Sequence, residues 1–238
     1  MKILNSINDL LFLNSTRILQ SLVFLSIGFS LFQLFGLGNW ELLYLIPISI
    51  IIKEYILSAY YHRYISHNSW ECPKWLEVIL LFLSTGFGLG AAIGWASIHR
   101  EHHSKSDIVG KDPHGPTRTI WQNIMIFSKK PSIRYGITLY NNKLLHRQAK
   151  YYWPIFFVIA SFWCMLIGVA EYVFLLSMLY FWQVTINIVG HIPKLEDKMF
   201  IFGSDIDHGK HHDKPNKAKL CKYDLAYYTL IKWFPHKV

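Results

Sequence analysis

Charge is scarce in this chain. Asp, Glu, Lys and Arg make up 16% of its 238 residues, against about 25% in an ordinary soluble domain. Acidic groups are the scarcer sign, 15 against 24 basic. Cysteine is scarcer still: Cys72, Cys164 and Cys221 are odd in number, scattered and without a CxxC step, which excludes a disulfide scaffold and points to a reducing compartment. No low-complexity tract, internal repeat or linker interrupts the chain, so residues 1–238 are read as one domain. No apolar core followed by a small-residue cleavage site precedes Ile18, so no signal peptide is expected. What the chain has in quantity is apolar and aromatic: 52% hydrophobic residues, with 9 Trp, 14 Tyr and 16 Phe. That composition excludes disorder and a soluble fold alike.

A bilayer-crossing helix needs about 20 mostly apolar residues. Ile18 to Leu37 meets this, as does Leu42 to Tyr61, although Lys53 and Glu54 fall in its later half. From Pro154 to Gly190 the only formal charge is Glu171. That run is too long for one span and fits a helical hairpin, with spans near residues 154–170 and 172–191. A fifth apolar stretch, Leu76 to Trp95, contains Gly86, Gly88, Gly90 and Gly94. Ile3, Ile7, Leu10 and Leu11 fall at helical spacing opposite Asn5, Asn8 and Asp9, the pattern of a helix lying on the membrane surface, and Thr117 to Phe127 is read likewise. The expected fold is all-α and integral to a membrane, with four transmembrane helices, a histidine-rich cap and interfacial helices.

Basic residues give the orientation. Ten fall between Ser97 and Tyr151 and nine from Ile192 onward, whereas the turns at Gly38–Glu41 and around Glu171 hold none. By the positive-inside rule both basic segments and both termini are cytoplasmic. The net charge of +9 is then a topology signal, and nucleic acid is not an expected partner.

Twelve histidines are the other excess. His62-Arg-Tyr-Ile-Ser-His67 follows the second span, His99-Arg-Glu-His102-His103 follows the fifth stretch, His208-Gly-Lys-His211-His212 lies in the tail, and His191 closes the last span. On a helix, positions i, i+3 and i+4 share a face, so each HxxHH presents three imidazoles together. His62 and His67 diverge by about 140° on an ideal helix and can share a metal only if the helix ends or bends between them. Nine imidazoles exceed the four ligands of one structural zinc site and imply two metals. Imidazole suits Zn, Cu, Fe or Ni and does not choose among them. All nine must lie on one side of the membrane, so Leu76 to Trp95 is expected to be embedded without crossing. His146 and His236 read as interface residues, and His114 as a group outside the ligand set.

At these boxes the chain resembles the membrane fatty-acid desaturases, specifically the delta-9 type with an HxxxxH first box. The resemblance is close from Tyr60 to Pro116 and looser from Asn187 onward. It is most specific at Trp95-Ala-Ser-Ile-His99-Arg-Glu-His102-His103-Ser-Lys-Ser106-Asp107 and Asp112-Pro113-His114. It implies a cytoplasmic cap around two ferrous ions held by His62, His67, His99, His102, His103, His191, His208, His211 and His212, with Asn187 holding an iron through water. It also implies dioxygen as co-substrate and a double bond placed in a fatty acyl chain. Leu89 stands where the family usually has Gln, and Gln183-Val184 where it has Thr-Trp; with Trp95 these are expected to line a bent acyl channel. Ser97-Ile98 replaces the Arg-Asp pair of some acyl-CoA enzymes, which favours acyl-lipid over acyl-CoA as substrate.

Around such a centre carboxylates should orient the ring N–H groups; Asp107, Asp112, Asp207 and Asp224, with Glu101 and Asp213, are the candidates. Gln183, Asn187 and His191 step by four and form a polar stripe that must face protein or a cavity. Glu54, eight residues before His62, lies nearly on its face, and snorkelling is one reading of Lys53; the sequence assigns the pair no role. No flavin, nicotinamide or haem motif is apparent, so electrons come from a separate donor such as a ferredoxin or b-type cytochrome, for which, as for anionic lipids, the basic surface is suited. The rival readings are a di-iron acyl hydroxylase on the same scaffold and a histidine-rich membrane metal transporter.

Overall fold

The computed structural model describes residues 14–106, 108–115, 117–126, 132–190 and 211–236. The expected surface helix before Ile18 falls largely outside them. Among the described residues the chain is helical without a strand, apart from a single antiparallel bridge between Trp70 and His236.

Helix α1 (Asn14–Leu31) runs on through a π turn, Phe32–Gly36. A 3-10 turn (Trp40–Tyr44), α2 (Leu45–Ile52) and a π-helix (Lys53–Ser66) form one rod. Then come α3 (Lys74–Gly86), α4 (Ala92–Lys105), α5 (Ile120–Ile124), α6 (Ile133–Tyr140), α7 (Lys143–Lys150), α8 (Tyr152–Ile167), α9 (Val169–Val189) and α10 (Leu225–Thr229). Three segments are long and apolar enough to cross a bilayer: Ile18–Gly36, Trp40–Ser66 and Val169–Val189. The pair α7–α8, bent by 79°, makes a fourth when taken as one span. Large apolar side chains point outward along these helices, Phe35 at 71% and Met165 at 81% exposure, which water would not tolerate over such a surface and lipid accepts.

Inside, the spans are joined by small polar contacts. Ser30 and Ser177 hydroxyls meet at 3.0 Å between α1 and α9, and Trp182 Nε1 donates to Ser49 Oγ at 2.9 Å between α9 and α2. The hairpin α8–α9 turns at Gly168, whose φ of +99° few other residues adopt. This is three residues before Glu171.

The glycine-rich fifth stretch is two helices. It breaks at residues 87–91, where Gly88 and Gly90 take φ of +69° and +80°. Broken backbone in an apolar setting needs replacement partners, and three side chains supply them. The Tyr61 hydroxyl donates to Gly90 O, the Tyr152 hydroxyl accepts from Gly90 N, and Gln148 Oε1 accepts from Ala92 N, at 2.9, 3.0 and 3.1 Å. The chain thus leaves at His67, turns at these glycines and comes back at His99.

Candidate metal centre

The π-helix resolves the spacing of the first box. Its i→i+5 bonding widens each turn so that residues five apart nearly align. The His67 amide donates to His62 O at 3.2 Å, a five-residue step, and the Ser66 hydroxyl repeats it onto Tyr61 O. The helix is widened up to Ser66 and ends there, with His67 as its C-cap, so it ends between the two imidazoles as the sequence reading required. Their ring centroids lie 5.0 Å apart.

Five imidazoles then converge. His62, His67, His99, His103 and His211 each offer a ring nitrogen within 4.8 Å of all the others. His62 Nε2 and His211 Nε2 are 2.8 Å apart, His67 Nε2 and His99 Nε2 2.9 Å, and His211 Nε2 and His67 Nε2 3.2 Å. Two nitrogens bound at right angles to one ion at about 2.1 Å would stand about 3.0 Å apart. The spacing is therefore that of ligands around a cation. His103 Nε2 is buried with no hydrogen-bond partner among the described residues, as an atom reserved for a metal should be.

Beside this group stands a second. His102, Asp112 and His114 form another cluster within 4.8 Å. His102 Nδ1 meets Asp112 Oδ1 at 2.7 Å, and its Nε2 faces His212 Nε2 at 3.2 Å. Each HxxHH box thus serves both groups, His99 and His103 with His211 in one, His102 with His212 in the other. The His103 and His212 rings stack at 4.2 Å and join the two. His114, read from sequence as outside the ligand set, stacks on His102 at 4.0 Å and gives its backbone N–H to Asp112.

Burial keeps these rings uncharged. It lowers His67 from its usual value to about 3, with Arg100 and His212 adding to the effect. Burial, then neighbouring imidazoles, hold His99, His103 and His211 well below theirs. Neutral imidazole is the form that binds metal.

The remaining expected residues fall in several places. His191, His208, Asp107 and Asp207 lie outside the described residues. Asn187 lines a narrow cleft with His62, Trp95, His99 and Gln183, and Trp95 stacks on His99 at 5.0 Å. Gln183 also lines a second narrow cavity, with Leu89, Phe156 and Leu176. Its Oε1 is buried without a hydrogen-bond partner among the described residues. Val184 departs from the channel reading, for it lines the outer apolar groove between α1, α5 and α9.

Asp224 departs too. Its carboxylate accepts from Arg63 Nη1 at 2.7 Å and from the amides of Leu220 and Tyr227, and from no imidazole among the described residues. Glu101 meets Lys105 at 2.7 Å, and Asp213 is exposed. Lys53, to which the sequence assigns no role, pairs with Glu54: its Nζ lies 2.6 Å from Glu54 Oε1, and both side chains are buried. Arg63 was missed in the sequence. It is fully buried, also donates to Ala218 O at 2.9 Å, and so ties the tail segment carrying His211 to the π-helix carrying His62. The available signal was an arginine at the end of an apolar span, which demands an acidic partner.

An all-helical membrane protein with a buried, neutral, metal-capable histidine centre is the class that fold and site define. No protein-family model matches the chain. A delta-9 desaturase-like protein of Arabidopsis thaliana is 30% identical over 133 residues, covering 54% of this chain and 44% of its own length. Delta-9 acyl-lipid desaturase 2 of the same plant is 34% identical over 83 residues, 35% of this chain and 27% of its own. The sn-1 stearoyl-lipid 9-desaturase of Synechocystis is 41% identical over 61 residues, 26% and 19%. The matched segments span less than half the length of these relatives. The similarity is to delta-9 acyl-lipid desaturases.

Proposed function

We propose that this chain is an oxygen-dependent di-iron desaturase that places a double bond in a fatty acyl chain, of the delta-9 type and on an acyl-lipid in preference to acyl-CoA. The observation that carries the reading is the convergence of the box imidazoles at metal-ligand spacing, beside cavities lined by alkyl side chains. His62, His67, His99, His103 and His211 would hold one iron, and His102 with His212 the other; His191, His208 and a water on Asn187 complete the set. Two irons with dioxygen and supplied electrons provide the oxidant that an unactivated methylene requires.

Removing one hydrogen from each of two adjacent carbons forms the C=C bond and yields two electrons. Two more electrons and two protons come from an external donor, a ferredoxin or a b-type cytochrome, and dioxygen leaves as two waters. The chain's own part is positioning and exclusion of water. Asp112 fixes the tautomer of His102, with Nδ1–H on the carboxylate and Nε2 turned toward His212. Trp95, stacked on His99, walls the cavity nearest the site. Gln183 lines both that cavity and the inner apolar one, and Leu89 lines the latter.

Four passes with the site and both termini in the cytoplasm follow from the basic segments, and the return of the chain from His67 to His99 supports an embedded, non-crossing 76–95 stretch. Expression in a host lacking its own desaturase, followed by mass spectrometry of derivatised fatty acids, tests the proposal. A new alkene that disappears in His102→Ala is expected. An alcohol as dominant product would make the chain a hydroxylase, and metal flux without oxygen consumption would make it a transporter.

A further inference from the structure

Arg100 sits between His99 and His102, and its guanidinium grips backbone. Its Nε donates to Ser66 O at 2.7 Å and Nη2 to Ile65 O at 3.0 Å. Its Nη1 reaches Tyr135 O at 3.2 Å and Thr138 Oγ1 at 2.9 Å on α6. Ile65 and Ser66 end the π-helix, where carbonyls lack intrahelical donors and the helix dipole favours a cation. The next residue is His67, whose Nε2 lies 2.9 Å from His99 Nε2. One planar fork thus binds the end of one histidine segment to the middle of another, and both to α6.

We propose that Arg100 is a positioning residue that sets the distance between His67 and His99, and through it the geometry of the five-histidine group. The inference rests on the metal-centre reading for its consequence, though not for the clamp itself. A lysine cannot replace it: one ammonium carries its donors on a single atom and cannot span carbonyls on the π-helix and a hydroxyl on α6.

The test compares detergent-purified full-length protein with Arg100→Gln and Arg100→Lys. Anaerobic Co²⁺ titration of the metal-free proteins reads the metal groups, and hydrogen exchange of the same samples reads the clamp. Affinity for one of the two ions is expected to fall at least tenfold in Arg100→Gln and less in Arg100→Lys, with the other ion unchanged. Amides of residues 65–69 should exchange faster while those of α9 do not. A general loss of stability would instead weaken both ions and speed exchange throughout, and that result overturns the proposal. So do unchanged affinity and exchange in a folded variant. Faster exchange at 65–69 in a protein that binds no ion in wild-type form would support the clamp and sink the metal-centre reading.

Discussion

The Nδ1 of His102 lies 2.7 Å from Asp112 Oδ1, with neither side chain exposed to solvent. A carboxylate in that position sets the ring's tautomer and raises the basicity of the opposite nitrogen. Asp112→Asn keeps the shape and removes the charge. It is expected to lower affinity for one metal ion about 10- to 100-fold and to reduce desaturation correspondingly, measured by metal titration and fatty-acid analysis.

Acid should destabilise the metal-free protein. His67 is held at about 3 and His99, His103 and His211 are held low by burial, whereas in the unfolded chain each titrates near 6.5. Between these values the unfolded state binds more protons, so stability falls as pH drops through 6.5 and levels off once the folded-state value is passed. Each such imidazole contributes up to about 1.4 kcal/mol per pH unit within its window. Denaturant unfolding of stripped protein at pH 5 and pH 8 checks the sign; equal stability at both would refute the burial account.

Close helix packing makes Gly86 sensitive. A Cβ there would overlap the Ile159 side chain, whereas nothing lies within 4 Å of one at Gly28. Gly86→Ala should cost about 1–3 kcal/mol through overpacking of α3 against α8, and Gly28→Ala should be neutral or mildly stabilising. Thermal unfolding in detergent distinguishes the pair.

Bulk at Leu89 should change which acyl chains are used. Leu89 is 2% exposed and lines the inner cavity, and Gln183 lines both it and the cleft beside His62 and His99. Leu89→Trp fills that space and is expected to reduce desaturation of longer chains before shorter ones, with metal content unchanged. The product distribution from mixed acyl chains supplies the measurement.

Much of the centre was legible in the sequence because local spacing carries it. His99, His102 and His103 lie on one helix, and the glycines at 88 and 90 mark the break that returns the chain. What was not legible came from tertiary demand. The π-helix has no local signature in Lys53–Ser66, so helical spacing alone kept His62 and His67 apart. The Arg63–Asp224 pair spans 161 residues, and no pattern within either segment announces the other. Lys53 and Glu54 carry no role that the sequence assigns, and only the folded structure shows them in mutual contact. The division of each HxxHH box between two groups depends on how α4 meets the tail, which helical periodicity does not encode.

Iron content after anaerobic reconstitution, read together with X-ray absorption at the iron edge, bears most directly on the centre. Two irons per chain in a nitrogen-rich environment are expected, falling to about one in His102→Ala with the fold intact. Protein that takes up no iron, or holds two as firmly without His102, would contradict the assignment.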